Sequence, residues 1–461
     1  MKVSIEKLSI LYKKLNYSVW DYVLRLTGVI IFSLVIFLLF GNHDSPLSSF
    51  IWNSIVFLII TIFSTIVLFK NTSWVWFFVF AYLVKLIIGL VHYLYFIDPV
   101  YFTSGIYNPL TFEYDGVFNQ IITSAHDKLA HGIFYYQHYE GGVTHQEIIS
   151  LISIPFMFFG DYVLTIAPIN TFSSLLISMN VILISRHKLR YNIRKIKPIA
   201  ILTAYFPMTL ISSLLYRDTV GLALMSVGLT LIILSKRGII QYLMLIIACY
   251  LFYLQRTMYP FILLLAFVIN IVVNQNFKSK GRDIFYKVST VALSIALLPV
   301  IISLSFTEVN QNMAAGGMNV NLISFPIKII VGLIGPFPWS NFLLYKTFPA
   351  YAYQLQDYLQ GTLNVSIVIT LLFFWRKYFK KGSLNLLNLT GILLICTGLF
   401  TAQMHSTYVA IGFVFLIPMI FTQINLSNFN KRFLYSFLTL LFLNIIVVVL
   451  FGNLGISSLW K

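Results

Sequence analysis

The chain has 461 residues, of which 59% are hydrophobic, 17% aromatic and only 10% charged. A water-soluble fold has no means of hiding that much apolar surface, so the composition excludes one and specifies an all-α, polytopic membrane helix bundle. The formal net charge of +17 would suit nucleic acid, but the cations fall at 2–14, 186–197, 236–237, 278–287, 376–381 and 431–432, each between apolar runs; cytoplasmic loops facing anionic head groups have this pattern, and no nucleic-acid partner follows.

In chain order, Lys2, Lys7, Lys13 and Lys14 mark an N-terminal segment expected to lie along the cytoplasmic surface. A first span at about 22–40 reads as a signal anchor, because it is long enough to cross and no small-residue cleavage site follows it. Spans at 50–69 and 74–96 follow, the latter carrying Lys85 and His92. Between Asp98 and Glu147 lies the longest polar stretch before the late loops. It holds Asp98, Glu113, Asp115, Asp127, Glu140, Glu147 and four histidines, with Lys128 its one cation. Such scarcity of Lys and Arg places it outside the cytoplasm.

The apolar run 148–166 is broken by Pro155 and by Gly160-Asp161, whereas 168–185 ends in the most basic loop of the chain. Crossing from outside to inside needs an odd number of spans. The expectation is therefore a juxtamembrane or re-entrant helix at 148–166 and a true span at 168–185. Further spans are expected at 198–215, 219–235, 239–254, 257–274, 288–305, 361–375, 384–400, 405–423 and 433–451. The whole is one integral membrane domain, 1–461, of about 13 helices with its N-terminus inside and C-terminus outside. Two extracytoplasmic segments belong to it, 98–166 and 306–358. Cys249 and Cys396 sit in apolar runs and read as small buried hydrophobes.

Several residues are candidates for chemistry. Arg217 and Asp218 in LLYRDTVG, and Arg256 in LQRTMYP, stand on very short outer connections. An arginine there either snorkels to the head groups or binds an anion, and two on neighbouring hairpin tips favour an anion such as phosphate, which guanidinium binds bidentately. Glu113 and Asp115 either supply a general base or form a solvated acidic surface. His131, His138 and His145 recur every seven residues, but Gly141-Gly142 interrupts any helix joining them and no metal-ligand spacing results. His405, at the outer start of a span, is a candidate proton carrier or phosphate donor. Trp339 in GPFPW is either an interfacial anchor or a wall of a sugar or lipid cavity. No phosphate-binding loop, dinucleotide fingerprint or nucleophile elbow is present, and no cofactor is expected.

FEYDGVFNQIITSA, followed by a broken apolar helix ending PFMFFGDYVL and a span with a basic exit, is similar to the outer-loop region of GT-C-type membrane glycosyltransferases. LLYRDTVGLALMSVGL and GLIGPFPW resemble segments of bacterial oligosaccharide repeat-unit polymerases (Wzy-type). The resemblance implies an enzyme of the bacterial cytoplasmic membrane that moves a polyprenyl-diphosphate-linked glycan chain onto a lipid-linked repeat unit, with the bilayer and a chain-length regulator as further partners. Arg217, Arg256 and His405 would hold the diphosphate, Asp115 or Glu113 would prepare the acceptor, and Asp218 and Trp339 would line the cavity. GT-C proteins usually place the catalytic acid after the first span, where this chain has only GNHDSPLSS; either Asp44 serves, or the carboxylate has moved to the loop after the third span, the reading preferred here. A ligase or a single-sugar transferase is the nearest alternative. A lipid-linked oligosaccharide flippase is the alternative of another class, and it would place charge at mid-membrane.

Overall fold

The computed structural model describes residues 17–41, 45–70, 72–93, 112–137, 146–210, 217–236, 238–274, 348–373, 385–401 and 406–421, with isolated positions at 435, 438, 439 and 442. Every regular element among them is helical. In chain order these are α1 (Val19–Phe40), α2 (Pro46–Phe69), α3 (Val75–His92), α4 (Phe112–His131), α5 (Gln146–Phe159), α6 (Ile166–His187), α7 (Ile193–Ala204), α8 (Arg217–Leu234), α9 (Ile239–Gln255), α10 (Tyr259–Asn274), α11 (Phe348–Phe373), α12 (Leu386–Thr401) and α13 (Ser406–Ile420). Among the described residues four stretches are long and apolar enough to cross a membrane: Val19–Phe40, Leu47–Phe69, Thr72–Val91 and Ile166–His187. The expected spans at 288–305 and 433–451 lie outside the described stretches.

Local chemistry sets the helix ends. Ser18 and Asp21 form a reciprocal cap on α1, the Asp21 N–H donating to Ser18 Oγ and the Ser18 N–H to Asp21 Oδ2. Pro46 opens α2 behind Ser45, whose side chain accepts from the Ser48 N–H. Gly160, at φ +81°, stops α5 in a conformation that costs a side-chain-bearing residue more.

α6 is the hub. Every residue from Ile166 to Ser185 except Phe172 and Leu176 is buried. In lipid the apolar effect does not distinguish neighbours from solvent, so such a helix is held by close packing and polar contacts. The Tyr22 hydroxyl donates to Asn180 Oδ1 (2.7 Å), and Asn180 Nδ2 donates to Ser226 Oγ (2.9 Å), tying α1, α6 and α8 together. Other hydroxyls, among them Thr61, Thr65 and Thr230, return to the carbonyl four residues back and need no outside partner. On the periphery Leu24, Leu38, Trp76, Phe80 and Ile246 present apolar surface outward.

The bundle has two chemically distinct ends. At one, Lys70 pairs with Asp21 (3.8 Å), Arg25 donates to the Val67 carbonyl and stacks over Tyr17, and Tyr17 stacks on His187. The start of α1, the end of α2 and the end of α6 therefore share a cation-rich face. At the other, Ser49 of α2 donates to the Phe159 carbonyl, Asn53 donates to the Thr165 carbonyl (2.9 Å), and Phe37 of α1 packs on Phe158 and Phe159.

Three elements differ from the sequence expectation. Residues 112–131, expected as part of a loop, form α4, because Phe118, Ile121 and Ala125 recur at helical spacing and bury against α5. α11 starts at Phe348 rather than near 361. The expected span at 198–215 is interrupted. α7 ends at Ala204 after 12 residues, about 18 Å of rise against a hydrocarbon layer of about 30 Å, and a 3-10 turn, Pro207–Thr209, follows. Pro207 pushes Phe206 into an extended conformation (φ −61°, ψ 125°), which ends the helix.

Candidate functional site

α5 joins the two parts of the end opposite the Lys70–Asp21 pair. Its last residues meet α1 and α2 there, and its first turn meets the tips of α8 and α9. At those tips the Gln255 Nε2 donates to Asp218 Oδ1 at 2.5 Å. The room for this bond comes from Gly221, where an added Cβ would lie 1.4 Å from Gln255 Oε1 and 3.1 Å from Ile148 Cδ1 of α5. A side chain at 221 would expel the Gln255 amide, so the glycine holds three helices in contact.

Arg256 follows directly. It is only 9% exposed, and its backbone turns extended (φ −158°, ψ 144°) to end α9, the N–H donating to the Phe252 carbonyl and the carbonyl accepting from the Tyr259 N–H (3.1 Å). A guanidinium so placed keeps its charge, and its burial favours any anion that can reach it. Arg217 and Asp218 occupy the first two positions of α8. The two arginines thus stand at adjoining helix ends, with the Asp218–Gln255 bond between their neighbours. The Arg217 side chain lies outside the described residues.

α4 packs on α5 through Phe118 against Phe156 (6.2 Å between rings), Ser124 with Ser153 (3.0 Å) and His126 Nε2 with Asp161 Oδ2 (2.6 Å). Glu113 and Asp115 are placed on its first turn, their side chains outside the described residues. Their backbone precedes Phe118, whose partner Phe156 stands eight residues along α5 from Ile148, about 12 Å. A carboxylate that sequence reasoning assigned no role, Glu147, stands on the first turn of α5 beside Ile148. Tyr136 is its neighbour, with the hydroxyl pKa raised by burial and further by Glu147, Tyr253 and Tyr250. Buried Lys128 donates to the Tyr135 carbonyl and pins the turn after α4; burial lowers its pKa, with Asp127 opposing. His131 ends α4 and Gly132, at φ +104°, turns the chain away, so the seven-residue spacing does not run on along that helix. His138, His145, Trp339 and His405 lie outside the described residues, as does Asp98. Among the described residues no group of three or more His, Cys, Asp or Glu is arranged to hold a metal ion.

A second polar centre lies at the interruption after α7. Lys85, near the middle of α3 and fully buried, donates to the Ala204 carbonyl (3.0 Å) and to Thr209 Oγ1 (3.2 Å). The Met208 N–H donates to Gln360 Oε1 of α11 (2.8 Å), and Gln360 Nε2 donates to Asn364 Oδ1 (2.7 Å). The sequence offered a signal for this centre, Pro207 inside an expected span, but nothing to show that Lys85 would reach it.

No protein-family model, curated protein or solved structure matches this chain.

Proposed function

We propose that the chain is a polysaccharide polymerase of the bacterial cytoplasmic membrane, acting on its outer face with a polyprenyl-diphosphate-linked glycan as donor and a lipid-linked repeat unit as acceptor. The observation that carries this reading is Arg256, nine-tenths buried at a helix end beside the Asp218–Gln255 bond. In the reaction an acceptor hydroxyl attacks the anomeric carbon of the donor sugar, a carboxylate takes the hydroxyl proton, and the electron pair of the breaking bond leaves on the diphosphate. Charge growing on that leaving group is where preorganised cations lower the barrier most. Arg256 and Arg217, with His405, fill that role in this proposal. Asp115 or Glu113 serves the acceptor, and Glu147, on the first turn of α5, is a further carboxylate at this site. Asp218 and Trp339 line the cavity, and the described helices belong to a GT-C-like bundle of about 13 spans with the N-terminus inside.

A lipid-linked oligosaccharide flippase is the second reading, favoured by one observation: a fully buried lysine at an interrupted helix, a common arrangement at transport sites. Deleting the gene and sizing the surface glycan separates the two. Single capped repeat units support the polymerase, lipid-linked units held inside support the flippase, and full-length polymer left on its lipid indicates a ligase. Arg217→Ala and Arg256→Ala should each abolish polymer with membrane levels unchanged. Normal polymer length in both variants would remove the anion-site assignment.

A further inference from the structure

The turn between α6 and α7 is both cationic and firmly held. Arg186, Lys188, Arg190, Arg194, Lys195 and Lys197 fall in it or beside it, and the sequence has no carboxylate between Asp161 and Asp218. The Lys188 N–H donates to the Ile184 carbonyl (2.9 Å) and the Tyr191 N–H to the Ser185 carbonyl (3.0 Å), closing α6. Asn192 then caps α7, its Oδ1 accepting from the Lys195 N–H (3.1 Å), and Lys195 Nζ lies over the Tyr191 ring. Arg190 carries the turn at φ +54°, a left-handed conformation that asparagine or glycine adopts at lower cost. The backbone would favour either of those residues, so it is the side chain that suits arginine to this position. Among the described residues Arg190, Arg194 and Lys197 form no ion pair.

α7 continues the pattern. Ile196, Ile199, Ala200 and Thr203 face the bundle, Thr203 and Ser178 of α6 sharing a hydrogen bond of 2.7 Å. Ile193, Arg194, Lys197 and Ile201 are exposed, and at 3.6 residues per turn they fall within about 100° of one another. This stripe is ordered along the helix, with the cations in its first turns and Ile201 toward its end. That end meets Lys85, near the middle of α3, through the Ala204 carbonyl. α7 therefore descends from the membrane boundary to mid-depth, and its outward side passes from charge to apolar surface in the order of a phospholipid.

We propose that the α6–α7 turn and the outward stripe of α7 bind one anionic phospholipid, its phosphate taken by Arg190 and Arg194 with Lys197 beside them and its acyl chains lying along Ile193 and Ile201. Guanidinium groups bind phosphate oxygens in pairs, and basic pockets at helix ends hold anionic head groups by this chemistry. The inference rests on the chain lying in a membrane and not on the glycan-transfer reading, so either can fail alone.

The test uses the full chain purified in mild detergent, with phosphatidylglycerol or phosphatidylcholine added and bound lipid counted by native mass spectrometry. The parent should retain one phosphatidylglycerol in preference to phosphatidylcholine, a comparison that needs no variant. Arg190→Asn and Arg194→Gln should each weaken that retention about tenfold or more, the loss of a charge-assisted hydrogen bond. Asparagine suits the left-handed turn, so Arg190→Asn should melt in lipid-free detergent no lower than the parent. Lys236→Gln, at an exposed cation between α8 and α9, should leave retention unchanged. Inorganic phosphate should displace the lipid no better than chloride at matched ionic strength. Equal retention of the two lipids would overturn the proposal, as would parent-like retention in both arginine variants. A loss in Lys236→Gln as large as theirs would show diffuse attraction in place of a site, and displacement by inorganic phosphate would show a site for soluble anions. A melting temperature that falls together with retention in Arg190→Asn would assign that arginine to the turn and not to the lipid, and would equally overturn it.

Discussion

Replacing Gly221 with alanine tests the contact on which the candidate site is built. The new Cβ would fall 1.4 Å from Gln255 Oε1 and 2.4 Å from its Cδ, far inside contact distance. Those atoms end a flexible side chain, so the amide swings away and the bond to Asp218 is lost. Losing a hydrogen bond to a charged group costs about 1.5–3 kcal/mol, while alanine gains about 0.8–1 kcal/mol over glycine inside a helix. Gly221→Ala should therefore destabilise by about 1 kcal/mol or somewhat more. In a Gln255→Ala background the clash with Gln255 and the bond are both gone, and only the 3.1 Å approach to the end of the Ile148 side chain remains, so the same substitution should turn near neutral or stabilising. The sign change is the signature. Detergent-induced unfolding of the parent, both single variants and the double variant gives the coupling directly. Additive effects, or a Gly221→Ala protein as stable as the parent, would refute the claim that this glycine exists to seat Gln255.

Gly412→Ala presents a harder obstacle, because its Cβ would meet the Gly391 carbonyl at 2.4 Å and the Ile395 nitrogen at 2.8 Å, backbone atoms of α12 that cannot rotate aside; a loss at or above the usual overpacking range of about 1–3 kcal/mol is expected in the same unfolding assay. Lys128 yields a pH signature. Its folded pKa lies below the ordinary lysine value, so the unfolded chain binds more protons, and stability should rise as pH climbs through the depressed value toward the ordinary one. Lys128→Met should flatten that alkaline rise in unfolding midpoints measured across pH, and an unchanged slope would contradict the assignment.

Much of the bundle was legible because its punctuation is chemical. The apolar runs at 168–185, 219–235, 239–254 and 257–274 coincide with helices α6, α8, α9 and α10 to within a few residues, since charged or polar hairpin tips bracket each run; of these only α6 is long and apolar enough to cross a membrane. The break expected at Gly160 within 148–166 is where α5 stops, after Phe159, whereas the break expected at Pro155 is absent and the helix runs through that proline. α4 was obscured by its polar residues, although Phe118, Ile121 and Ala125 carry a helical period. The Asp218–Gln255 bond was not legible, because it depends on which faces of α8 and α9 meet. Nor was Lys85 on Ala204, a contact across 119 residues of sequence, which no local pattern announces.

The enclosure of α6 has a consequence for how the protein is made. Of the four long apolar helices it is the least apolar, and almost all of it is covered by protein. Such a segment gains comparatively little from meeting bilayer alone as it leaves the insertion machinery. Its retention depends on earlier spans already waiting to receive it, α2 and α3 by packing and α1 by the Tyr22 hydroxyl. Biogenesis of this chain is then a docking event at α6, and a weakened reception there would be read first as lost protein rather than lost activity.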